Sequence, residues 1–336
     1  MSNLILPQGY HSDLTQRQTQ KAIKVIKDTF QKKLSVALNL DRVTAPLFVT
    51  KASGINDDLN GVERKVSFTI KQIDGVEAEV VQSLAKWKRA ALYKYGYEVG
   101  EGIYTDMNAI RRDDDVDNLH SVFVDQWDWE KVVSREQRTT EFLKETVKKI
   151  VGAIADAKEE LDKQFPEVAF DICRDVYFVT TQELEDKYPK LTTKERENVI
   201  CKEHKTVFIM QIGDKMKSGE KHDGRAPDYD DWALNGDILF YNEVLDCAFE
   251  VSSMGIRVDE KSIVSQLKKC GNEERMELPY HKNIINGVYP LTIGGGIGQS
   301  RLCMLLLKKA HIGEVHVSVW PEEMVATCNA NGIDLL

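Results

Sequence analysis

The sequence has no CxxC pair of cysteines and no HxxxH pair of histidines, so no zinc site is legible in it. Its six cysteines, Cys173, Cys201, Cys247, Cys270, Cys303 and Cys328, are scattered. They read as reduced thiols of a cytoplasmic protein, not as a disulfide frame. Long apolar runs are also missing: the longest after Arg301 spans six residues, far short of a bilayer crossing. Met1 to Pro7 carries neither a basic region nor a long apolar core, so no signal peptide is expected. Positive charge is in deficit. A net charge of −9 argues against a general nucleic-acid surface while leaving room for a local basic pocket. Repeats, low-complexity tracts and Pro/Ser linkers are absent, so the 336 residues are read as one domain, 1–336.

What is present begins with a concentration of glycine. Gly294-Gly295-Gly296-Ile297-Gly298 lies between the apolar Leu291 to Ile293 and the apolar run after Arg301. The pattern predicts a strand turning into a helix, its backbone open to a flat or charged ligand and its first N–H groups free. Arg301 adds an always-protonated fork suited to phosphate. The plainer reading is a tight turn with a surface arginine. The missing Gly-Lys-Ser/Thr excludes a P-loop, and the order of the glycines excludes a dinucleotide fingerprint.

Upstream, Ile23, Ile26, Phe30, Leu34 and Ala37 predict a helix over 14–38 with one buried stripe. Leu40 to Val49 reads as a strand, which Pro46 confines to an edge or interface. In the loop Lys51 to Gly61, the adjacent Asp57 and Asp58 fit either a solvated turn or a seat for a cationic amine. Val66 to Ile70 is a strand. Ser83 to Tyr93 is a helix capped by Ser83, whose Lys86, Lys88 and Arg89 form either a solvated face or a holder for a carboxylate. Gly102 to Arg111 and His120 to Asp128 read as a long hairpin. Arg111, Asp125, Gln126 and Asp128 stand at strand positions beside Trp127 and Trp129. Unpartnered polar groups are costly there, so these residues read as the floor of a polar ligand site.

Ser134 with Gln137 predicts a helix running to about Phe165, and Thr180 with Glu183 and Thr192 with Glu195 start two more. Asp175 to Thr180, Thr206 to Ile212 and Asp237 to Tyr241 read as strands, and the 213–231 loop is long enough to be functional. In the strand Ala248 to Val258, alternation sets Glu250, Ser252, Met254 and Ile256 on one face. Val251, Ser253, Gly255 and Arg257 take the other, unless Gly255 marks a bulge. Helices are expected around Ser262 to Lys269 and Pro279 to Ile285, and a last strand over Val315 to Val319.

Three of these patterns resemble, in order, the motifs of the class II aminoacyl-tRNA synthetases. They are the helix with the Pro46 strand (22–50), the hairpin with Arg111-Arg112-Asp113 and His120-x-x-Phe123 (102–130), and Gly294 to Arg301 with its helix (291–310). Ser83 to Arg89, Val124 to Glu130, Arg225 to Trp232, Ser252 to Arg257 and Gly294 to Arg301 together look like the ammonia-dependent asparagine synthetases, or aspartate–ammonia ligases. The resemblance implies an α+β fold: a central, mainly antiparallel sheet flanked by helices, forming a homodimer through the first motif. It implies L-aspartate, free ammonia and ATP as substrates with Mg²⁺ as co-reactant, and neither nucleic acid nor membrane as partner. The aspartate side-chain carboxylate would attack the α-phosphorus, and ammonia would capture the β-aspartyl adenylate, giving asparagine, AMP and pyrophosphate.

The resemblance also implies roles. Charge grows on the α-phosphate during attack, which suits Arg111. Phe123 and Arg301 suit the two faces of adenine, Asp113 its amino group, and Gly296 and Gly298 the close approach of the nucleotide. His120 and Arg225 suit the β/γ-phosphates. Glu250, with Asp237 or Asp230, offers hard oxygens for Mg²⁺. Lys88 and Arg257 suit the aspartate α-carboxylate, Asp128 with Ser83 or Ser253 its ammonium, and Gln126 the activated carbonyl; Ser252 is counted with them as substrate-binding. Asp57 suits ammonium, first as its seat and then as its proton acceptor. Asp113 stands where synthetases more often have Glu, and Gln299-Ser300 where an acidic residue is common. A truncated aspartyl/asparaginyl-tRNA synthetase-like enzyme and a non-catalytic binding module are the alternatives. The first lacks a segment for an anticodon-binding barrel, and the second need not keep Arg111, Glu250 and Arg301. No cysteine stands in a recognisable glutaminase context, so free ammonia is the expected nitrogen donor.

Overall fold

The structure, a computed structural model, describes residues 4–57, 59 and 63–336. Its centre is an eight-stranded sheet ordered β1-β5-β6-β11-β10-β9-β8-β7. The strands are β1 (Leu40–Arg42), β5 (Gly102–Ile110), β6 (Phe123–Val132), β7 (Tyr177–Thr180), β8 (Thr206–Met210), β9 (Asp230–Asn242), β10 (Cys247–Arg257) and β11 (Thr292–Gly298). Only the outer pairs, β1 with β5 and β7 with β8, are parallel. A three-stranded sheet, β2-β4-β3, is built from β2 (Phe48–Thr50), β3 (Ser67–Ile70) and β4 (Ile73–Val80). The expected strand over 40–49 is therefore two short strands in different sheets. Pro46 cannot donate to a ladder, and the chain leaves one sheet edge and joins another across it. β4 was not anticipated; its outer half is exposed and its sequence lacks a clean alternation.

One face of the large sheet is covered by α1 (Gln16–Leu38) and α3 (Thr140–Gln164). The α1 stripe Ala22, Ile26, Phe30, Leu34 and Leu38 is fully buried, and Phe30 meets Trp127 of β6 at 4.8 Å between ring centroids. A Thr15–Gln18 capping box starts α1. The expected start of α3 at Ser134 is corrected: the Gln137 side chain accepts from the Ser134 N–H, but in a turn, and the helix begins after Thr139, whose hydroxyl accepts from Phe142 N–H. The caps at Thr180 and Thr192 form as expected, opening α4 (Thr181–Lys187) and α5 (Thr193–His204). Ser83 is a modified case: its hydroxyl accepts from Ala85 N–H, yet the residue directly preceding α2 (Ala85–Tyr95) is Leu84. Beyond β10 come α6 (Ser262–Cys270) and α7 (Pro279–Ile285), with Pro279 in the first turn as expected.

The glycine stretch is not a turn. Gly294 to Gly298 belong to β11, paired on both sides, and α8 (Gln299–Leu306) starts directly from the strand end. The N–H of Ser300 is already taken by Asp125, so that helix start is not wholly free. The expected last strand at 315–319 is absent; the segment has no ladder partner and leads into α9 (Glu322–Ala330).

The chain start is tied down by one residue of the β5–β6 connection. Buried Asn118 accepts from Ile5 N–H and donates to Ile5 O and Ala310 O, all at 2.8–2.9 Å. All six cysteines are free. Among the described residues no helix is long and apolar enough to cross a membrane.

Candidate active site

The period-2 alternation of β6 sorts its polar residues. Trp127 and Trp129 enter the core, while Gln126, Asp128 and Glu130 face the opposite side. Asp125 goes with the tryptophans and holds Lys27 of α1 and Ser300 of α8. On β10 the register against β9 shifts twice: at Val251, where Glu250 pairs with Leu239 and Ser252 with Ile238, and again just after Gly255, between it and Arg257. The extra residue at Val251 brings Glu250 onto the face of Ser253 and Arg257. Ser252 turns to the other side, buried between Ile238 and Ile297, so its expected place beside substrate is corrected.

The resulting cleft holds about 410 Å³. Of the residues expected at the site, Asp57, Ser83, Lys88, Arg111, His120, Phe123, Gln126, Asp128, Arg225, Asp230, Glu250, Ser253, Arg257, Gly296, Gly298 and Arg301 line it. Its glycine floor is a matter of space. A Cβ on Gly296 would collide with the Gln126 amide, and one on Gly294 with Glu130 and, at 2.7 Å, Arg257.

Most of the charges here are paired with each other. Lys88, fully buried, donates to Asp128 at 2.6 Å and to Gly295 O at 3.0 Å. Arg257 grips Glu130 through Nε and Nη2, at 2.7 Å for the shortest contact, and Asp230 through Nη1. Arg225 bonds Ser253 and, at 2.6 Å, Asp237. Lys88, Arg225 and Arg257, expected to meet substrate directly, are thus held in place by carboxylates. The pairs leave specific valences unused: among the described residues Asp128 Oδ2, Arg111 Nε and Arg225 Nε have no hydrogen-bond partner. A fixed Lys88 leaves Asp128 Oδ2 as an acceptor suited to an ammonium group.

The basic trio of α2 is not a solvated face, because Lys86, Lys88 and Arg89 are all buried. Arg89 ties the helix to Val258 O and Pro290 O. Lys86 reaches Asp228 at 3.0 Å, and Asp228 also meets His281 at 3.0 Å and Arg275 at 3.3 Å.

At the other end, Arg111, His120, Phe123 and Arg301 surround open space. Arg111 makes no ion pair among the described residues; its Nη2 touches only Gln82 O, at 3.4 Å. Phe123 lies against His316 with centroids 4.5 Å apart, and His316 contacts Phe123 O and the Ser300 hydroxyl. Arg301 holds Glu250 O at 3.1 Å. Asp113 does not line the cleft. It is drawn outward by Arg64, whose guanidinium and N–H hold its carboxyl down at about 2. Its neighbour Asp114 lines the cleft instead.

The carboxylates expected to hold a cation separate into two kinds. Asp230 is consumed by Arg257. Asp237 is pushed up to about 7 by burial and by the Glu250 carboxylate, against the pull of Arg225. Two crowded carboxylates of this sort suit a hard divalent ion completed by phosphate and water. Among the described residues no cluster of three or more such ligands exists.

Asp57 is buried, with one oxygen accepting Leu59 N–H and the other, Oδ2, without a partner among the described residues. Burial raises its carboxyl above the usual range, opposed by Lys86 and reinforced by Asp228. Its neighbour Asp58 lies outside the described residues.

Comparison with known proteins places this arrangement. The family model described as aspartate–ammonia ligase matches residues 17–332. The chain belongs to the aspartate–ammonia ligase family. An aspartate–ammonia ligase of Ligilactobacillus salivarius is 58% identical over 335 residues, 99% of this chain and 100% of the relative. One of Ruminiclostridium cellulolyticum is 59% identical over 336 residues, the full length of both. Among solved structures, the asparaginyl-tRNA synthetase of Pyrococcus horikoshii, complexed with asparaginyl-adenylate, superposes with a TM-score of 0.64 at 16% identity. The match covers 90% of this chain and 70% of that one, and it shows a shared class II synthetase fold.

Several residues that shape this ligase-family cleft escaped the sequence reading. Glu130 was legible in principle, two and four residues beyond Asp128 and Gln126 on the same strand face. Asp228, Tyr229 and His281 were not, since nothing local links a loop to the helix α7 that meets it.

Proposed function

We propose that this chain joins free ammonia to L-aspartate at the cost of ATP, releasing asparagine, AMP and pyrophosphate, with residues 1–336 acting as one catalytic unit. The observation that carries the reading is the buried Asp57 Oδ2, without a partner among the described residues, on a cleft that also presents the Arg111 guanidinium, which makes no ion pair among those residues. In the first step a side-chain carboxylate oxygen of aspartate bonds to the α-phosphorus. The bond from that phosphorus to the β-bridging oxygen breaks, and pyrophosphate leaves. Arg111 stabilises the growing negative charge, while Phe123 and Arg301 bracket adenine and His120 faces the outer phosphates. Asp128 Oδ2 receives the aspartate ammonium, and Gln126 orients the activated carbonyl.

Mg²⁺ would be held by Asp237 and Glu250, where it would neutralise phosphate charge. In the second step Asp57 attracts ammonium and takes one of its protons, leaving ammonia to attack the acyl carbon; the acyl–phosphate C–O bond breaks, AMP departs, and the new amide nitrogen gives up its extra proton to the leaving phosphate. A raised carboxyl is the stronger base for that transfer. A homodimer through the α1 and β2 region is also proposed, supported by exposed Leu47 and Phe48.

The test separates the two steps. Aspartate-dependent exchange of pyrophosphate into ATP reports the first, and mass detection of asparagine with an ammonium salt reports both. Asp57→Asn should keep exchange and lose asparagine formation. Equal loss of both would remove Asp57 from its proposed role, and transfer of aspartate to added tRNA would favour a synthetase instead.

A further inference from the structure

Phe123 and Arg301, the two residues that bracket adenine in the proposed reaction, come from different elements, and one serine reaches both. Ser300 lies buried in the first turn of α8, directly before Arg301. Its N–H and its hydroxyl both donate to Asp125 of β6, at 2.9 Å and 2.8 Å. The same hydroxyl oxygen meets His316 Nδ1 at 2.8 Å, and the other ring nitrogen of His316 meets Phe123 O at 3.0 Å. The imidazole also lies against the Phe123 ring, 4.5 Å between centroids. Ser300, His316 and Asp125 are all buried, where polar groups are costly unless paired, and each of them is paired. Lys27 of α1 holds Asp125 from a further side, at 3.2 Å.

The two jaws differ in how firmly they are held. Arg301 is fixed at its tip on Glu250 O, at 3.1 Å, and Gln299 ties the start of its helix to Asp106 and to Gln126 O. Phe123 stands at the open end of the β5–β6 ladder, paired with Ile110. Its ring is backed by the 315–319 segment, which has no ladder partner and is clipped in place by side chains. His316 is one clip; the other is Ser318, which accepts from Ser121, whose hydroxyl in turn accepts from Phe123 N–H. We infer that Ser300 and His316 are positioning residues that set the width of the adenine slot. Ser300 fixes the imidazole relative to the first turn of α8, and the imidazole fixes Phe123 relative to Arg301. Neither lines the cleft. A gap of a fraction of an ångström forfeits much of a dispersion contact, so a slot with a yielding back wall loses nucleotide affinity before it loses chemistry. This inference rests on the reading of Phe123 and Arg301 as the two faces of the adenine site.

The test uses the full chain and aspartate-dependent exchange of pyrophosphate into ATP, titrated separately in ATP and in aspartate. Ser300→Ala and His316→Ala should each raise KM for ATP about 3–10-fold, the worth of one buried hydrogen bond, with kcat and KM for aspartate within about twofold of wild type. The double variant should be no worse than the poorer single one, because both break the same link, whereas independent losses of packing multiply. Phe123→Leu should raise KM for ATP as well, and His316→Ala should then add nothing to it. That second cycle decides the matter if Ser300→Ala does not fold. Multiplying effects in either cycle, an unmoved KM for ATP in folded Ser300→Ala or His316→Ala, or an equal rise in KM for aspartate overturns the inference. An unmoved KM for ATP in Phe123→Leu instead removes the adenine reading beneath it.

Discussion

Two glycines two residues apart on the same strand face should fail in different ways when given a methyl group. At Gly294 the new Cβ would collide with a Glu130 oxygen and stand 2.7 Å from Arg257 Nη2. Neither partner can retreat: Glu130 is fully buried, held by Arg257 at 2.7 Å and by the Thr292 hydroxyl at 2.7 Å, and β11 is paired on both sides. The pair must break inside the protein, which costs about 3–5 kcal/mol. At Gly296 the hard collision is with the terminal amide of Gln126, which has no side-chain partner among the hydrogen bonds of the described residues and borders open space; Asp128 Oδ1, at 3.1 Å, need give only a few tenths of an ångström. That amide can swing aside, so Gly296→Ala should stay within about 1 kcal/mol of wild type in stability. It should lose roughly 100-fold in turnover, because the group aimed at the activated carbonyl is displaced. Urea unfolding and steady-state asparagine formation measure the two quantities. Equal stability loss in both variants, or an unaffected Gly294→Ala, would refute the idea that the glycines make room for two different things.

Arg111→Ala should lower pyrophosphate exchange by about 100-fold or more with little effect on unfolding, since that guanidinium supports charge only during attack. His316→Ala should raise KM for ATP more than it lowers kcat, because the ring backs Phe123 at 4.5 Å without entering the cleft, as a titration of initial rates would show. Buried His311 is pushed down to about 4 by desolvation. A depressed group contributes stability that is complete above its unfolded value and disappears as pH falls to the folded one. Wild type should therefore lose on the order of 3 kcal/mol from this group between pH 6.5 and 4. His311→Asn should lose correspondingly less in urea melts over that window; parallel curves would exclude the assignment.

The fold was legible where residues signal locally. Thr180 with Glu183 and Thr192 with Glu195 cap helices because the cap needs only four neighbouring residues. Tertiary context overrode local signals elsewhere. Gly294 to Gly298 look like a turn in one dimension, but two flanking strands pair them and buried side chains fill the space their Cβ atoms would need. Lys86, Lys88 and Arg89 look like a wet face until their partners arrive from 40 to 207 residues away, as the contacts of Lys88 show. The site residues came from resemblance more than from pattern. Where alternation was used, one inserted residue at Val251 moved Glu250 and Ser252 to opposite sides. Asp113 and Asp114 could not be told apart in sequence, because the choice depends on Arg64 pulling one of them outward.

Asn118 clasps the beginning of the chain and Ala310 with one side chain, at the tip of the connection that carries His120. During translation Asn118 can meet Ile5 long before Ala310 exists, so the third bond of the clasp comes last. A nascent chain that stops short of α8 also lacks Arg301, so the cleft and the clasp are completed by the same late stretch of polypeptide.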